Sequence, residues 1–326
     1  MWVRDSSNPH QEKGTRLETS QKSTWMAYGA MLLAMVIVSG NFVFGNHAMQ
    51  DLPALPLSFW RTVIAMLCLL PLAIISRKNI AAFFFENKLK AITLVLTGVV
   101  LPPWFIYLAL NSSKLVDLSV GYTSIPLMTV LLSAIFLSER LSIVQYLGLV
   151  FALFGSLVFA FHGDLENVSN FDPHVEFLWI IACAFSRSVY LVLLKLWNVH
   201  PSPSEGLFLL LLLGTLVLLP GFVHHATTEM SPLEYSPQLW GSILFIGIGM
   251  GAVYLYLLGL GTSRLGATTV SLFTFIVPVL VAVESILFLD ATLQPYQAVG
   301  GALVLAGVFC VAYFRSPPPT ASATSS

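Results

Sequence analysis

The sequence predicts an all-α integral membrane protein of about ten transmembrane helices, arranged as two inverted five-helix repeats. Three observations predict it: the scarcity of charge, the number of apolar stretches of spanning length, and a match between the two halves. Only 10% of the 326 residues are charged and 56% are apolar, with mean hydropathy +0.83. A soluble domain is about one quarter charged, so this chain would struggle to cover its own surface in water. A soluble bundle would need ten helices without polar faces, which argues against that class.

A bilayer core takes about 20 apolar residues as helix. Ten such stretches can be placed, at about 25–46, 56–76, 91–110, 117–137, 143–161, 175–196, 206–223, 238–260, 267–289 and 296–314. Turn chemistry and charge separate them, as at Asp51-Leu52-Pro53, Ser138-Glu139-Arg140, His200-Pro201-Ser202-Pro203 and Asp290-Ala291-Thr292. Residues 1–24 read as a polar cytoplasmic tail, 25–161 as the first repeat, 162–174 as an outer connection, 175–314 as the second repeat, and 315–326 as a second tail. Cys68, Cys183 and Cys310 all fall in apolar runs and read as buried thiols.

Charge orients the chain. Arg4, Lys13, Arg16 and Lys22 precede the first stretch, and Arg77, Lys78, Lys88 and Lys90 fill the connection after the second. Arg140, Lys195, Arg264 and Arg315 occupy later even-numbered connections or the C-terminal end, whereas the odd-numbered ones hold only Lys114. The positive-inside rule then places both termini in the cytoplasm, in the cell (inner) membrane, which requires an even number of spans.

The chain repeats itself. A shift of 152 residues lays Ser119–Ala160 on Ser271–Ala312, matching Pro126 to Pro278, Gln145 to Gln297, Gly148 to Gly300 and Gly155 to Gly307. Upstream, Ser39-Gly40-Asn41 matches Ser186-Arg187-Ser188 with a small change of shift. Each copy holds an odd number of spans, so consecutive copies enter the membrane from opposite sides. Inverted repeats are an architecture of secondary transporters, with the solute near the midplane between the halves.

Ser39-Gly40-Asn41-Phe42-Val43-Phe44 followed by Pro56-Leu57-Ser58-Phe59-Trp60-Arg61 resembles the opening two helices of the drug/metabolite transporter superfamily, EamA type. Gly266-Ala267-Thr268-Thr269-Val270-Ser271, and the Glu139-Arg140-Leu141 turn with Gln145 and Gly148, are similar to later parts of that family's pattern. The resemblance covers about residues 25–314. It implies ten helices, no ATPase subunit, and export of small metabolites, amino acids among them. Two departures stand out: Val38 where a Trp often precedes the Gly/Ser-Asn pair, and Asp290-Ala291 in place of the second Glu-Arg turn.

Arg187 is the most informative side chain, deep within the sixth stretch. A central Arg costs about 2.5–3.5 kcal/mol on insertion scales, so it faces a cavity or a partner. Two readings stay open. Arg187 holds a substrate carboxylate with its planar fork, or it is tied to helix carbonyls or to Glu284. Glu284 is the one acid well inside a stretch and reads as a coupling or gating site, or as the counter-ion of Arg61. Arg61, at similar depth, also matches the family's helix-2 arginine and reads as structural or gating.

Pro102-Pro103 removes two backbone donors, so the third helix should kink there and expose carbonyls. Trp104 and Tyr107 follow it, Tyr254 and Tyr256 occupy the related part of the eighth helix, and Asn41 and Tyr122 add polar groups. Trp104, Tyr107, Tyr122, Tyr254 and Asn41 are therefore candidate substrate contacts beside Arg187. The glycines at 148, 155, 300, 301 and 307 read as close packing of the fifth and tenth helices, and the resemblance implies that these helices meet between halves or between protomers of a homodimer.

No phosphate-binding loop, cofactor motif, metal-ligand spacing or catalytic triad is apparent, and His224-His225 reads as a solvated outer loop. Nothing in the charge pattern points to nucleic acid. The partners expected are a small solute and the lipid bilayer. The leading function is secondary transport, most naturally efflux of a small polar metabolite by alternating access. The alternatives are an anionic-metabolite or nucleotide-sugar-type antiporter or uptake carrier, and a membrane-embedded enzyme or non-transporting subunit.

Overall fold

Within a bilayer no water satisfies the backbone, so uninterrupted apolar runs become helices. The computed structural model describes residues 9–75, 87–111, 115–137, 142–161, 163, 175–198, 205–289 and 294–313, and every regular element among them is helical. The first half contains α1 (Pro9–Met49), α2 (Ala54–Ile75), α3 (Lys88–Val95, Leu96–Val100, Leu101–Ala109), α4 (Leu115–Tyr122, Ser124–Phe136) and α5 (Ile143–Ala160). The second contains α6 (Val175–Leu196), α7 (Glu205–Thr228), α8 (Pro237–Phe245, Ile246–Val253, Tyr254–Leu265), α9 (Ala267–Leu272, Phe273–Ile276, Val277–Leu289) and α10 (Pro295–Tyr313). Seven of these are long and apolar enough to span a membrane, and Ser124–Phe136, Tyr146–Val158 and Pro295–Cys310 are shorter apolar helices. Exposed Leu67, Ile74, Leu147, Phe154, Leu287 and Phe309 give the outer surface the apolar character a bilayer requires.

The two halves pack through matching contacts. Helix α1 packs on α8 and α9, and its repeat counterpart α6 packs on α3 and α4. Helices α2 and α7 pack on each other, as do α5 and α10. Exchanging the halves returns the same set of neighbours, as an inverted repeat demands. The α5–α10 seam shows this atom by atom: a Cβ on Gly155 would meet the Gly300 carbonyl at 2.6 Å, and one on Gly307 would meet the Gly148 carbonyl at 2.5 Å. Backbones approach this closely only where the side chain is hydrogen.

Most irregularities in the helices follow the prolines. Pro126 interrupts α4, which breaks at Thr123, and its repeat partner Pro278 follows a 3-10 turn over Phe273–Ile276 in α9. A proline cannot donate to the carbonyl four residues earlier and its ring crowds that carbonyl. In α3 the segment Leu96–Val100 widens into a π-helix just before Pro102-Pro103, the distortion expected there. A second π-segment, Ile246–Val253 in α8, has no proline behind it and follows four small residues, Gly247, Gly249, Gly251 and Ala252. Gly266, at φ 82, forms the single-residue turn between α8 and α9.

Two expectations are corrected. His224 and His225 lie inside α7 rather than in a loop, and His225 is buried with its Nδ1 2.9 Å from Oε2 of Glu229. The histidine pair misled because polar residues were read as ending the span, whereas the helix continues one further turn. Only Cys183 is buried; Cys68 is exposed and Cys310 half-buried, since apolar helices here turn one face to lipid. The polar segment before Trp25 is helical from Pro9. The Ser138-Glu139-Arg140 and Asp290-Ala291-Thr292 turns lie outside the described residues.

Candidate substrate site

The site grows out of the helix defects. An α-helix would satisfy the Gly98 carbonyl with the N–H of residue 102, and a π-helix with that of residue 103. Both are prolines, so neither donor exists. Arg187 supplies the missing bond across the boundary between halves: Nη1 donates to the Gly98 carbonyl oxygen at 3.3 Å. Beside it, Ser186 Oγ donates to the Thr97 carbonyl at 3.2 Å. In α8 the N–H of Tyr254 bonds to Gly249 rather than to Met250. The Met250 carbonyl instead accepts from Nη2 of Arg61, 3.0 Å away, from the opposite half.

Both arginines are 3% exposed. Each guanidinium carries five N–H donors, and the Nε of each lacks a partner. They lie within electrostatic reach of one another. The groups around Arg187 are phenols and a thiol: Tyr254, Tyr122, Cys183 and Tyr190. Its guanidinium carbon sits 5.6 Å from the Tyr254 ring centroid and 5.8 Å from that of Tyr190, over faces that attract cations. Neither arginine has a carboxylate partner among the described residues.

Tyr107 is fully buried and donates to Asn41 Oδ1 at 3.1 Å, leaving the Asn41 amide nitrogen buried and unpaired. Tyr122 is buried against Phe42 and hydrogen-bonds to Tyr254. Asn41, Tyr107, Tyr122, Tyr254 and Arg187 thus converge as buried polar groups on α1, α3, α4, α8 and α6. Trp104 does not join them. It is half-buried and stacks on Phe105, which in turn stacks on Trp179. Tyr256 is 37% exposed.

The Arg61–Glu284 pair is not formed. Arg61 bonds to Met250, and the Oε1 of Glu284 is hydrogen-bonded with Ser39 Oγ, 2.7 Å away. The guanidinium follows the carbonyl that the π-segment leaves open. Sequence reading missed Tyr190, whose ring fills the space a Cβ on Gly98 would need, and Cys183, one turn before Arg187. Spacing on α6 alone could have found both, since they lie three and four residues from Arg187.

Inverted repeats that meet around a buried cationic and phenolic centre define a membrane transporter. The chain belongs to the EamA-like transporter family, whose model matches residues 25–161 and 175–313. An uncharacterized transporter of Bacillus subtilis, YetK, is 24% identical over 297 residues, covering 90% of this chain and 88% of its own. A probable terminal-alkyne amino-acid exporter of Streptantibioticus cattleyicolor is 27% identical over 190 residues, covering 57% of this chain and 60% of its own. A protein solved by crystallography shares the fold at TM-score 0.66 and 19% identity, over 89% of this chain and 97% of that one. YetK and the Streptantibioticus protein carry transporter names, which points away from an enzyme.

Proposed function

We propose that the protein is a secondary transporter that exports an amino acid or related carboxylate-bearing metabolite by alternating access. One observation carries this reading: Arg187 is buried at the junction of the halves with an unpartnered Nε and, among the described residues, no carboxylate beside it. A buried cation left without a counter-ion is costly, and a planar guanidinium matches a carboxylate in two hydrogen bonds. Tyr122, Tyr254 and the Asn41–Tyr107 pair supply neutral hydrogen-bonding groups for the rest of a small polar solute. The name of the Streptantibioticus relative supports amino-acid export.

Arg61 favours a second reading. Two cations within reach of each other suit a solute of higher negative charge, as an anionic-metabolite antiporter would carry. A labelled panel in liposomes separates the two, spanning zwitterionic amino acids, monocarboxylates and dicarboxylates. Export of amino acids predicts exchange of the zwitterions, and an antiporter of anions predicts exchange of the dicarboxylates alone. Movement of uncharged analogues at equal rates would contradict both. The cation asymmetry supports cytoplasmic termini in the cell membrane. Labelling of single cysteines near Lys88 and Arg264 from the inside, and near Asp51 and Glu229 from the outside, tests that orientation.

A further inference from the structure

We infer that Glu284 is a proton-binding site in the membrane, occupied in this conformation, and that it couples solute movement to a pH gradient; the coupling rests on the transport reading above. The Ser39 hydroxyl lies 2.7 Å from Glu284 Oε1 and 2.9 Å from the Val36 carbonyl oxygen. A serine hydroxyl has one hydrogen, so it cannot donate along both contacts. A protonated carboxyl completes the count: the acid donates to Ser39 Oγ, and Ser39 donates to Val36.

A carboxylate would instead take the single serine hydrogen and leave its second oxygen bare. That oxygen, Oε2, is buried without a partner. An ionised group so placed in an apolar helix is far costlier than a neutral acid. Among the described residues no cation relieves it: Arg61 bonds to the Met250 carbonyl and Arg187 to that of Gly98. The elements packed against Val277–Leu289 carry Tyr28 and His47 on α1, Tyr122 on α4, and Tyr296 and Cys310 on α10. None of these contacts the Glu284 carboxyl, whose hydrogen-bond partner is Ser39. The Asp117 side chain, on α4, lies outside the described residues. One carboxyl and one hydroxyl are too few oxygens for a metal cation, which takes about six. The ion that fits is a proton.

Helix α1 links this site to the solute centre. Ser39 faces α9 through Glu284, and two residues on, Asn41 faces α3 through Tyr107. A displacement of α1 that re-forms the Asn41 contact also remakes the Ser39 contact, so solute binding and proton binding share one moving element. The first half has Leu132 at the position a 152-residue shift assigns to Glu284, so the proton site exists in one copy only.

Infrared spectroscopy of the purified protein tests proton binding without any solute. Near neutral pH the wild type should show the carbonyl band of a protonated carboxylic acid, and Glu284→Gln should lack it. A band that persists in Glu284→Gln, or is absent from wild type, overturns the site. Liposomes then test coupling. An imposed pH gradient should drive accumulation of a carried solute in wild type, and Glu284→Gln should lose accumulation while retaining solute exchange at equal pH. Gradient-driven accumulation by Glu284→Gln, or none by wild type that still exchanges solute, overturns the coupling. Absence of exchange for every solute would sink the transport reading alone, with the infrared band still deciding the proton site. If Glu284→Gln does not fold, Ser39→Ala keeps the acid and removes its hydrogen-bond partner. The pH at which the band disappears should then shift, and an unmoved midpoint contradicts the assignment.

Discussion

At the α5–α10 seam, Gly155 lies against Gly300 and Gly307 against Gly148, so exchanging the two halves returns the same contact. At the centre the exchange fails. Arg187 stands on α6 where α1 has Gly40, and Gly40 is packed against the Phe245 ring instead of a carbonyl. Helix α2 carries Arg61, whereas α7 has no arginine along Glu205–Thr228. Duplication explains the seam, where both copies keep the small residue that lets backbones touch. It does not explain the centre, where each copy carries at depth an arginine that the other lacks. On the proposed export reading, symmetry marks scaffold and broken symmetry marks the solute path.

The largest effect should come from spoiling the seam. Gly155→Leu and Gly307→Leu each drive a side chain into backbone, and overpacking of this kind costs about 1–3 kcal/mol or more. Folded yield and melting temperature in detergent should fall by similar amounts in both variants, because their contacts are equivalent. A collapse in one and tolerance of the other would break the symmetry argument.

At the centre, Arg61→Gln should behave oppositely. It removes a charge and its bond to Met250, so affinity for dianionic solutes should drop about ten- to hundredfold, corresponding to about 1.5–3 kcal/mol. Zwitterions should lose less, as a binding comparison across the panel will show. Replacing Pro102 and Pro103 together with alanine returns two N–H donors to α3 and competes with Arg187 for the Gly98 carbonyl. Melting temperature should rise, since interior prolines cost helix stability, while transport falls about fivefold. The smallest change, Tyr107→Phe, deletes one neutral bond to Asn41. It should cost about 1 kcal/mol in solute binding and leave yield intact.

Much of this arrangement is legible in the sequence, for specific reasons. The ten apolar helices, seven of them of spanning length, follow from apolar run length, and Pro102-Pro103 announces an exposed carbonyl because missing N–H groups are a covalent fact. Arg187 stands out because a mid-helix charge must find company. What it bonds to could not be read: Gly98 is 89 residues away in the chain, and its choice depends on how α6 packs on α3. The expected Arg61–Glu284 pair failed for the same reason, since depth in the bilayer does not say which way a side chain turns. Helices that are apolar all round give little periodic signal for facing, so Trp104 and Cys68 could not be assigned a side. The π-segment of α8 has no proline to betray it, and glycines alone do not distinguish a widened turn from close packing.

The claim that broken symmetry marks the solute path is tested most directly at Arg187. Wild type, Arg187→Gln and Arg187→Lys should be reconstituted at equal folded amounts and their exchange of carboxylate solutes measured. Arg187→Gln should lose carboxylate exchange by about tenfold or more while its melting temperature stays near wild type, and Arg187→Lys should recover only part, because a point charge cannot reproduce the fork. Carboxylate exchange at the wild-type rate by folded Arg187→Gln would contradict the account and return Arg187 to the scaffold.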